Sequence, residues 1–347
     1  MSKDLDLTTC QTVDSTFLHK KGLCGLCNLG NTCFMNSIIQ CLNNTLPLLE
    51  YFVQNEYLKD INKQSSDFNI TNEWNLVCRG LWHKNALVNP KKFHSAIRLR
   101  AIERDYDDFT GFGQNDSQEF LQFLLESLHN SLSKKVNMNI VGKPVNDLDK
   151  IAIEALTAWT KYFQSDYSKI VEIFYGQYFS RLITKKNKKI ERSNTFDPFS
   201  CICLEATPKC HNIYDCLDSF TSKEDLSTDE EDIVRHKSIS FWKLPKILII
   251  FLKRYNNLNK KVNTKIDFPL TDLDMSKYVL GYNKSKYIYD LYAVSNHAGS
   301  PMGGHYYAFC KNYDGNWYKY DDNVVFTLNV LKVVDSSAYC LFYRLKE

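Results

Sequence analysis

From Asn31 to Phe52 apolar residues recur at helical spacing, at Phe34, Ile38, Ile39 and Leu42, with Asn31 or Thr32 available as an N-cap and Pro47 as a break. The spacing predicts a helix that carries Cys33 in its first turn. A second helix is predicted from about Ser117 to Leu132, where Phe120, Phe123, Leu124 and Leu128 make one apolar face behind Asp116 as a cap. A third covers about Asp147 to Phe163. After Ile173 the period shortens toward two and the apolar runs become brief: Tyr178 to Ile183, Phe199 to Leu204, Ile247 to Leu252, Tyr287 to Val294, Tyr306 to Lys311, Trp317 to Tyr320 and Tyr339 to Tyr343. Polar stretches at Lys185 to Asn194 and Thr221 to Lys237 read as hairpin tips or loops. Helices first and strands afterwards argue for an α+β fold, a helical lobe and a largely antiparallel sheet. Residues 1–20 lack periodicity and are expected to be a flexible leader, followed by one domain over 21–347.

Composition narrows the classes of function. Hydrophobic residues make up 44% and charged residues 24%, as in ordinary globular chains, and no apolar run is long enough to span a bilayer. A formal net charge of +3 spread over 347 residues gives no broad field for nucleic acid. The stretch Met1 to Thr16 is polar and acidic, without the pattern of an export signal. An intracellular protein, cytoplasmic or nuclear, is therefore expected, acting as a monomer with neither nucleic acid nor membrane as partner. In such a compartment the twelve cysteines read as reduced thiols.

Three of those cysteines fall in Gly22-Leu-Cys-Gly-Leu-Cys-Asn-Leu-Gly-Asn-Thr-Cys-Phe-Met-Asn-Ser. Cys33, at the start of the first predicted helix, faces the positive end of the helix dipole, which favours the thiolate. Gly25 and Gly30 before it suit close approach of a substrate chain. Cys24 and Cys27 form a CxxC that reads as a pair of small core residues rather than half of a zinc site. A nucleophilic thiol needs a base, and Met302-Gly-Gly-His-Tyr-Tyr-Ala-Phe-Cys offers one: His305 opens a strand behind Gly303 and Gly304, which leave room for a peptide to pass over the imidazole. His297, the competing base, reads as a solvated loop histidine. The following Trp317-Tyr-Lys-Tyr-Asp-Asp ends in carboxylates able to orient an imidazole.

These residues resemble the ubiquitin-specific protease family, papain-like cysteine enzymes that remove ubiquitin. The cysteine box is Gly25-Leu-Cys-Asn-Leu-Gly-Asn-Thr-Cys-Phe-Met-Asn-Ser and the histidine box Gly303-Gly-His-Tyr-Tyr-Ala-Phe. Between them stand Gly113-Gln-Asn-Asp-Ser-Gln-Glu-Phe, Phe196-Asp-Pro-Phe-Ser and Leu244-Pro-Lys-Ile-Leu-Ile-Ile-Phe-Leu-Lys-Arg-Tyr, in family order. The resemblance covers about residues 21–345. It implies a hand-like fold with a helical thumb, a β palm and β fingers. It makes Cys33 the nucleophile, His305 the base, Asp321 the third member of the triad, Asp322 a second polar position beside it, and Asn28 the donor to the oxyanion. It implies that Asp116 holds the arginine-rich tail of ubiquitin, that Gln114, Gly303, Gly304 and Tyr306 also contact substrate, and that Asn296 to Met302 is a blocking loop over that tail.

One departure concerns metal. The family's fingers usually bind zinc through two CxxC pairs, but the corresponding places read Thr184-Lys-Lys-Asn and Thr228-Asp-Glu-Glu-Asp-Ile-Val-Arg-His-Lys. Neither contains cysteine, so fingers without zinc and no cofactor are expected, ordered instead by strand pairing and burial of Phe179, Leu182, Ile190, Ile233 and Ile239. Cys201, Cys203, Cys210 and Cys216 read as core rather than ligands. The implied reaction is hydrolysis of the peptide or isopeptide bond after the C-terminal glycine of ubiquitin, with ubiquitinated proteins as partners. The rivals are a silent ubiquitin-binding scaffold and a protease for another ubiquitin-like tag.

Overall fold

A computed structural model describes residues 21–83, 86–111, 113–186, 189–226, 233–254, 261–300 and 303–346. The expected leader lies outside these residues. The chain forms two compact units, one running to Leu132 and including Tyr307–Leu328, the other comprising Ser133–Tyr306 and the chain from Asn329 onward.

The first unit opens with β1 (Gly25–Leu26), then α1 (Cys33–Asn43), α2 (Leu46–Val53), α3 (Phe68–His83), β2 (Leu87–Val88), α4 (Lys91–Glu103) and α5 (Ser117–Leu132). The apolar pattern over Asn31 to Phe52 forms two helices, divided near Pro47 as expected, and Pro47 stands in the first turn of α2, where a missing N–H costs nothing. Phe34, Ile38, Ile39 and Leu42 of α1 are buried, as are Phe120, Phe123, Leu124 and Leu128 of α5. Phe34 meets Phe120 edge-to-face at 5.6 Å, which joins the two apolar faces. Asp67, 1% exposed, accepts from Arg100 Nε at 3.0 Å and from Arg104 Nη2 at 2.8 Å, so the buried carboxylate is fully compensated.

The second unit begins with α6 (Asp147–Phe163), which starts on a capping box between Asn146 and Asp149, and α7 (Lys169–Phe174). Its strands are β3 (Gly176–Lys186), β4 (Lys189–Thr195), β5 (Pro198–Phe199) and β6 (Ile202–Glu205), followed by α8 (Ile213–Phe220) and then β7 (Glu224–Leu226), β8 (Ile233–Lys243), β9 (Ile247–Lys253), β10 (Leu273–Asp274) and β11 (Ile288–Ser300). The next strand, β12 (Gly303–Lys311), leaves this unit after Tyr306 and enters the first, where β13 (Trp317–Asp321) and β14 (Val324–Leu328) follow. The chain returns in β15 (Ala338–Leu345).

Within the second unit, β15 pairs antiparallel with both β11 and β9, and β6 adds in parallel to β9. Ile247, Leu248, Ile249, Ile250, Phe251 and Leu252 of β9 are all buried, which explains why that segment reads as an unbroken apolar run rather than an alternation. A second sheet has the order β4-β3-β8-β7. One face of β3 and β8 presents Phe179 and Trp242, which pack with Phe196 against Ala152 and Ala155 of α6. The other face presents Tyr178 and Phe241, and the Tyr178 ring stacks on Phe199 at 4.2 Å. Period two along β3 thus serves two different apolar clusters.

Of the stretches expected to be hairpin tips or loops, Lys185 to Asn194 lies at the end of the β3–β4 hairpin, and among the described residues both it and Thr221 to Lys237 are mostly strand, in β4, β7 and the start of β8. Polar residues on both faces of an exposed ribbon leave no alternation to detect. Phe179 and Ile233 are buried and Leu182 and Ile239 half-buried, but Ile190 is 53% exposed, contrary to expectation. Register supplies the order instead: β3 and β8 pair from Gln177↔Lys243 to Lys186↔Ile233. Among the described residues no three His, Cys, Asp or Glu side chains are grouped to hold a metal ion. A structural zinc supplies about 10–16 kcal/mol in small peptides, so a metal-dependent sheet would lose its fold on chelation. Purified protein is expected to contain well under one zinc per chain, and strong chelators to leave melting unchanged. Stoichiometric zinc lost together with folding would return Cys201, Cys203, Cys210 and Cys216 to consideration.

Candidate active site

Cys33 is the first residue of α1, 4% exposed, and Thr32 is the N-cap. The Thr32 side chain does not cap the helix. Its hydroxyl accepts from Leu29 N–H at 2.9 Å and lies 3.3 Å from Asn28 Oδ1, so it orders the loop before the thiol. The first-turn amides of α1 are thus not capped by the Thr32 side chain, and Cys33 sits at the positive end of the helix dipole. Cys24 is fully buried, its sulfur accepting from Ala86 N–H at 3.2 Å, in keeping with the core reading, whereas Cys27 is only half-buried.

Asn28 is exposed yet fixed. Its Oδ1 accepts from Gly30 N–H at 2.9 Å and Thr32 N–H at 3.2 Å, and its Nδ2 donates to Asp322 Oδ2 at 2.8 Å. Asp322 follows β13 in the turn to β14, with φ +47°, a conformation that aspartate tolerates better than most residues. Asp321 ends the strand and Asp322 belongs to the turn. Their partners differ accordingly. Asp321 Oδ2 accepts from Lys319 Nζ at 2.8 Å, and that ammonium lies over the Tyr307 ring at 4.3 Å.

Gly25 has a different reason from the one expected. A Cβ there would lie 2.4 Å from the carbonyl oxygen of Asn323, and Leu26 N–H donates to Asp322 O at 2.7 Å. The chain's own β13–β14 turn, rather than substrate, fills the space the glycine leaves. Gly30, at φ +101° with open space around it, remains free of such contact.

His305 lies in the second unit, on β12 with Gly303, Gly304 and Tyr306. The expected blocking loop over Asn296 to Met302 is strand as far as Ser300, the end of β11, and positions 301–302 lie outside the described residues. His297 is not the solvated histidine expected. It is 5% exposed, its ring 4.4 Å from Tyr306 and 6.2 Å from Tyr339. Lys261 Nζ donates to His297 O at 2.8 Å and Gly299 O at 3.2 Å, and lies 3.3 Å from His297 Nδ1. Gly304 is required by this packing, since a Cβ there would meet His297 Nε2 at 2.2 Å. A sequence signal was present: β-branched and aromatic residues before His297 continue the β11 pattern into it.

Burial, then the charges of Lys261 and His305, push the His297 imidazole down to about 4. A base held neutral in the fold contributes stability that is complete above its unfolded value of about 6.5 and is lost as pH falls through about 4. The full difference corresponds to about 3 kcal/mol. Urea titrations at pH 7 and pH 4 are expected to show a smaller loss for His297→Phe, which keeps the ring packing, than for the wild type. Parallel losses would show that His297 does not carry this term.

Asp116 caps α5 as expected, its Oδ1 accepting from Gln118 N–H at 2.6 Å. Two carboxylates that sequence reasoning missed stand near it. Burial, followed by the charges of Asp108 and Asp116, raises the Glu119 carboxyl above its ordinary value, and Asp108 also hydrogen-bonds it. Gln114 is exposed just before this cluster.

Residues 24–343 match the family described as Ubiquitin carboxyl-terminal hydrolase. The chain belongs to that family. It is 35% identical over 345 residues to human Ubiquitin carboxyl-terminal hydrolase 2, covering 94% of this chain and 55% of that protein. Human Ubiquitin carboxyl-terminal hydrolase 21 is 32% identical over 370 residues, covering 96% and 63%. The chain therefore spans little more than half the length of these curated relatives. Among solved structures it is similar to the SAGA DUB module Ubp8/Sgf11/Sus1/Sgf73 bound to monoubiquitin, with a TM-score of 0.72 and 26% identity over 95% of this chain and 70% of that one. The resemblance carried by the cysteine and histidine boxes is thereby shown, and the mixed helix and sheet architecture matches the family's. Among the described residues no helix is long and apolar enough to cross a membrane.

Proposed function

We propose that the chain is a deubiquitinating thiol protease that cleaves after the C-terminal glycine of ubiquitin through a Cys33–His305–Asp321 triad. His305 removes the Cys33 proton, the thiolate attacks the glycine carbonyl, and the negative charge forms on the carbonyl oxygen. Collapse expels the amine, protonated by His305, and leaves a thioester. Water, deprotonated by His305, then attacks the thioester and releases ubiquitin with Cys33 restored. Asp321 orients the imidazole. The observation that carries this reading is Asn28 beside the nucleophile, with its carbonyl oxygen tied to the loop and its amide nitrogen tied to Asp322, so that one N–H remains for the oxyanion.

Two further features support ubiquitin as substrate. The cluster of Asp108, Asp116 and Glu119, in which burial and the neighbouring carboxylates raise the Glu119 carboxyl, suits the arginines of the ubiquitin tail. A groove of about 600 Å³ in the second unit, lined by Tyr178, Leu182, Phe220, Leu226 and Ile239 among others, offers apolar and aromatic surface to the folded body of ubiquitin. Gly303, Gly304 and Tyr306 would border the Gly-Gly end. The small net charge fits a chain that acts on protein rather than nucleic acid. The test is reaction with C-terminal electrophiles derived from ubiquitin and from other ubiquitin-like tags, followed by cleavage of each di-ubiquitin linkage. Labelling of Cys33 by the ubiquitin probe is expected. Labelling only by another tag, or binding without labelling, would overturn the reading.

A further inference from the structure

Asn36 lies one turn after Cys33 on α1 and is 3% exposed. A side-chain amide buried so deeply must find partners for two donor hydrogens and a carbonyl oxygen. The nitrogen has them: Nδ2 donates to Asp322 Oδ1 at 2.8 Å and lies 3.3 Å from Cys27 O and 3.5 Å from Leu26 O. The oxygen does not, for Asn36 Oδ1 is buried with no hydrogen-bond partner among the described residues. Reversing the amide would not help, since its oxygen would then face a carboxylate and two carbonyls. Asp322 thus dictates which way the amide points, and the helix keeps an unpaired oxygen that leucine would not leave there.

The same carboxylate holds Asn28. One Asp322 oxygen accepts from Asn36 and the other from Asn28, so it cannot rotate about its own axis without breaking one bond. Asn28 Oδ1 is fixed separately by Gly30 and Thr32. The direction of the remaining Asn28 N–H is therefore set by a relay from the helix bearing Cys33, through the turn after β13, to the loop before the nucleophile.

We propose that Asn36 is a positioning residue for the hydrolysis, acting through Asp322 to aim the free N–H of Asn28 at the oxyanion formed when Cys33 attacks. The inference rests on the hydrolase reading above. It explains why an amide with an unpaired oxygen stands at a buried position of α1, a cost of the kind found where structure serves a site.

The test uses the full chain with Asn36→Ala and Asn36→Ser, either of which fits within the present volume, with melting measured for each. Turnover of a fluorogenic ubiquitin C-terminal amide is expected to fall about 10- to 100-fold in kcat, less than complete loss of an oxyanion donor, with KM within about twofold. Alkylation of Cys33 by iodoacetamide, followed by peptide mass spectrometry, is expected to keep its rate, because that reaction forms no oxyanion. In an Asp322→Ala background the added loss from Asn36→Ala is expected to be less than about threefold, as for members of one relay. Wild-type kcat in both variants, an effect confined to KM, a matching fall in alkylation, or full additivity with Asp322→Ala would each overturn the inference while leaving an active wild type. A wild type that turns over no ubiquitin substrate would overturn the hydrolase reading, and the inference with it.

Discussion

Cys33→Ser is expected to abolish hydrolysis of ubiquitin conjugates while leaving ubiquitin binding close to that of the wild type. A serine hydroxyl is far less acidic than a thiol, and the first turn of α1 cannot bring it to the ionised state that it favours for sulfur. Loss of a nucleophile that acts as part of a triad costs about 10⁴–10⁶ in kcat in comparable enzymes, so turnover should fall below detection. Binding should persist because the acidic cluster around Asp116 and the groove beside Tyr178 do not involve the sulfur. Cys24→Ser and Cys27→Ser provide the contrast. Cys24 is fully buried and accepts a backbone hydrogen bond, so its replacement is expected to lower stability more than activity, and half-buried Cys27 should tolerate serine with most activity retained. The comparison needs kcat from a fluorogenic ubiquitin amide and affinity by calorimetry for all three variants. Substantial turnover by Cys33→Ser, or its loss in Cys27→Ser with Cys33→Ser active, would remove Cys33 from the role of nucleophile.

What the sequence disclosed about this molecule follows from which forces leave a local trace. The α5 and α6 helices were readable to the residue, Ser117–Leu132 and Asp147–Phe163, because each couples a 3.6-residue apolar stripe to an N-terminal capping side chain. Four other helices, α3, α4, α7 and α8, left weaker marks. α4 carries Leu99 and Ile102 on its exposed side, which blurs the stripe, and α7 and α8 are of only 6 and 8 residues. The ribbon strands β4 and β7 escaped notice because solvent meets both their faces. The boxes singled out Asn28 and Asp322, which the structure joins by a hydrogen bond, and Cys33, which it places at the start of α1. The relay through Asn36 was not legible, since it joins positions 28, 36 and 322 through a hairpin turn. Asp108 and Glu119 were invisible for a similar reason: a cluster of carboxylates appears only when a loop folds back on a helix start. Glycines were the most misleading residues. Gly25 and Gly304 mark close approaches, as their composition suggests, but the approaching groups are Asn323 and His297 of the same chain.

The two adjacent aspartates supply the sharpest discrimination between parts of the mechanism. Asp322→Ala removes the acceptor shared by Asn28 and Asn36, leaving the Asn36 nitrogen only its longer bonds to Cys27 O and Leu26 O, and places alanine at φ +47°. Alanine tolerates this left-handed backbone less well than aspartate, so some loss of stability is expected besides the kinetic effect. Freed from Asp322, the Asn28 amide no longer presents its N–H in one direction, and kcat is expected to fall about 10²–10³-fold. Asp322→Asn should be intermediate, because asparagine keeps the turn and one acceptor but turns an amide toward a second amide. Asp321→Ala should lower kcat by a different route. In the proposed triad, removing Asp321 takes from the His305 imidazolium a stabilising charge and an orienting group, so the acid limb of the pH–rate profile is expected to move as well as the plateau to fall. Asp322→Ala should lower the plateau and leave the acid limb where it was, since Asp322 engages amides and not the base. Lys319, which is paired with Asp321 at 2.8 Å, would be released in the first variant only, and Lys319→Met therefore separates an effect of the ion pair from one of the carboxylate. Full pH profiles of kcat/KM for Asp321→Ala, Asp322→Ala and Lys319→Met decide the matter. A displaced acid limb in Asp322→Ala with an unmoved one in Asp321→Ala would transfer the triad role to Asp322, and with it the interpretation of the Asn28 hydrogen bond.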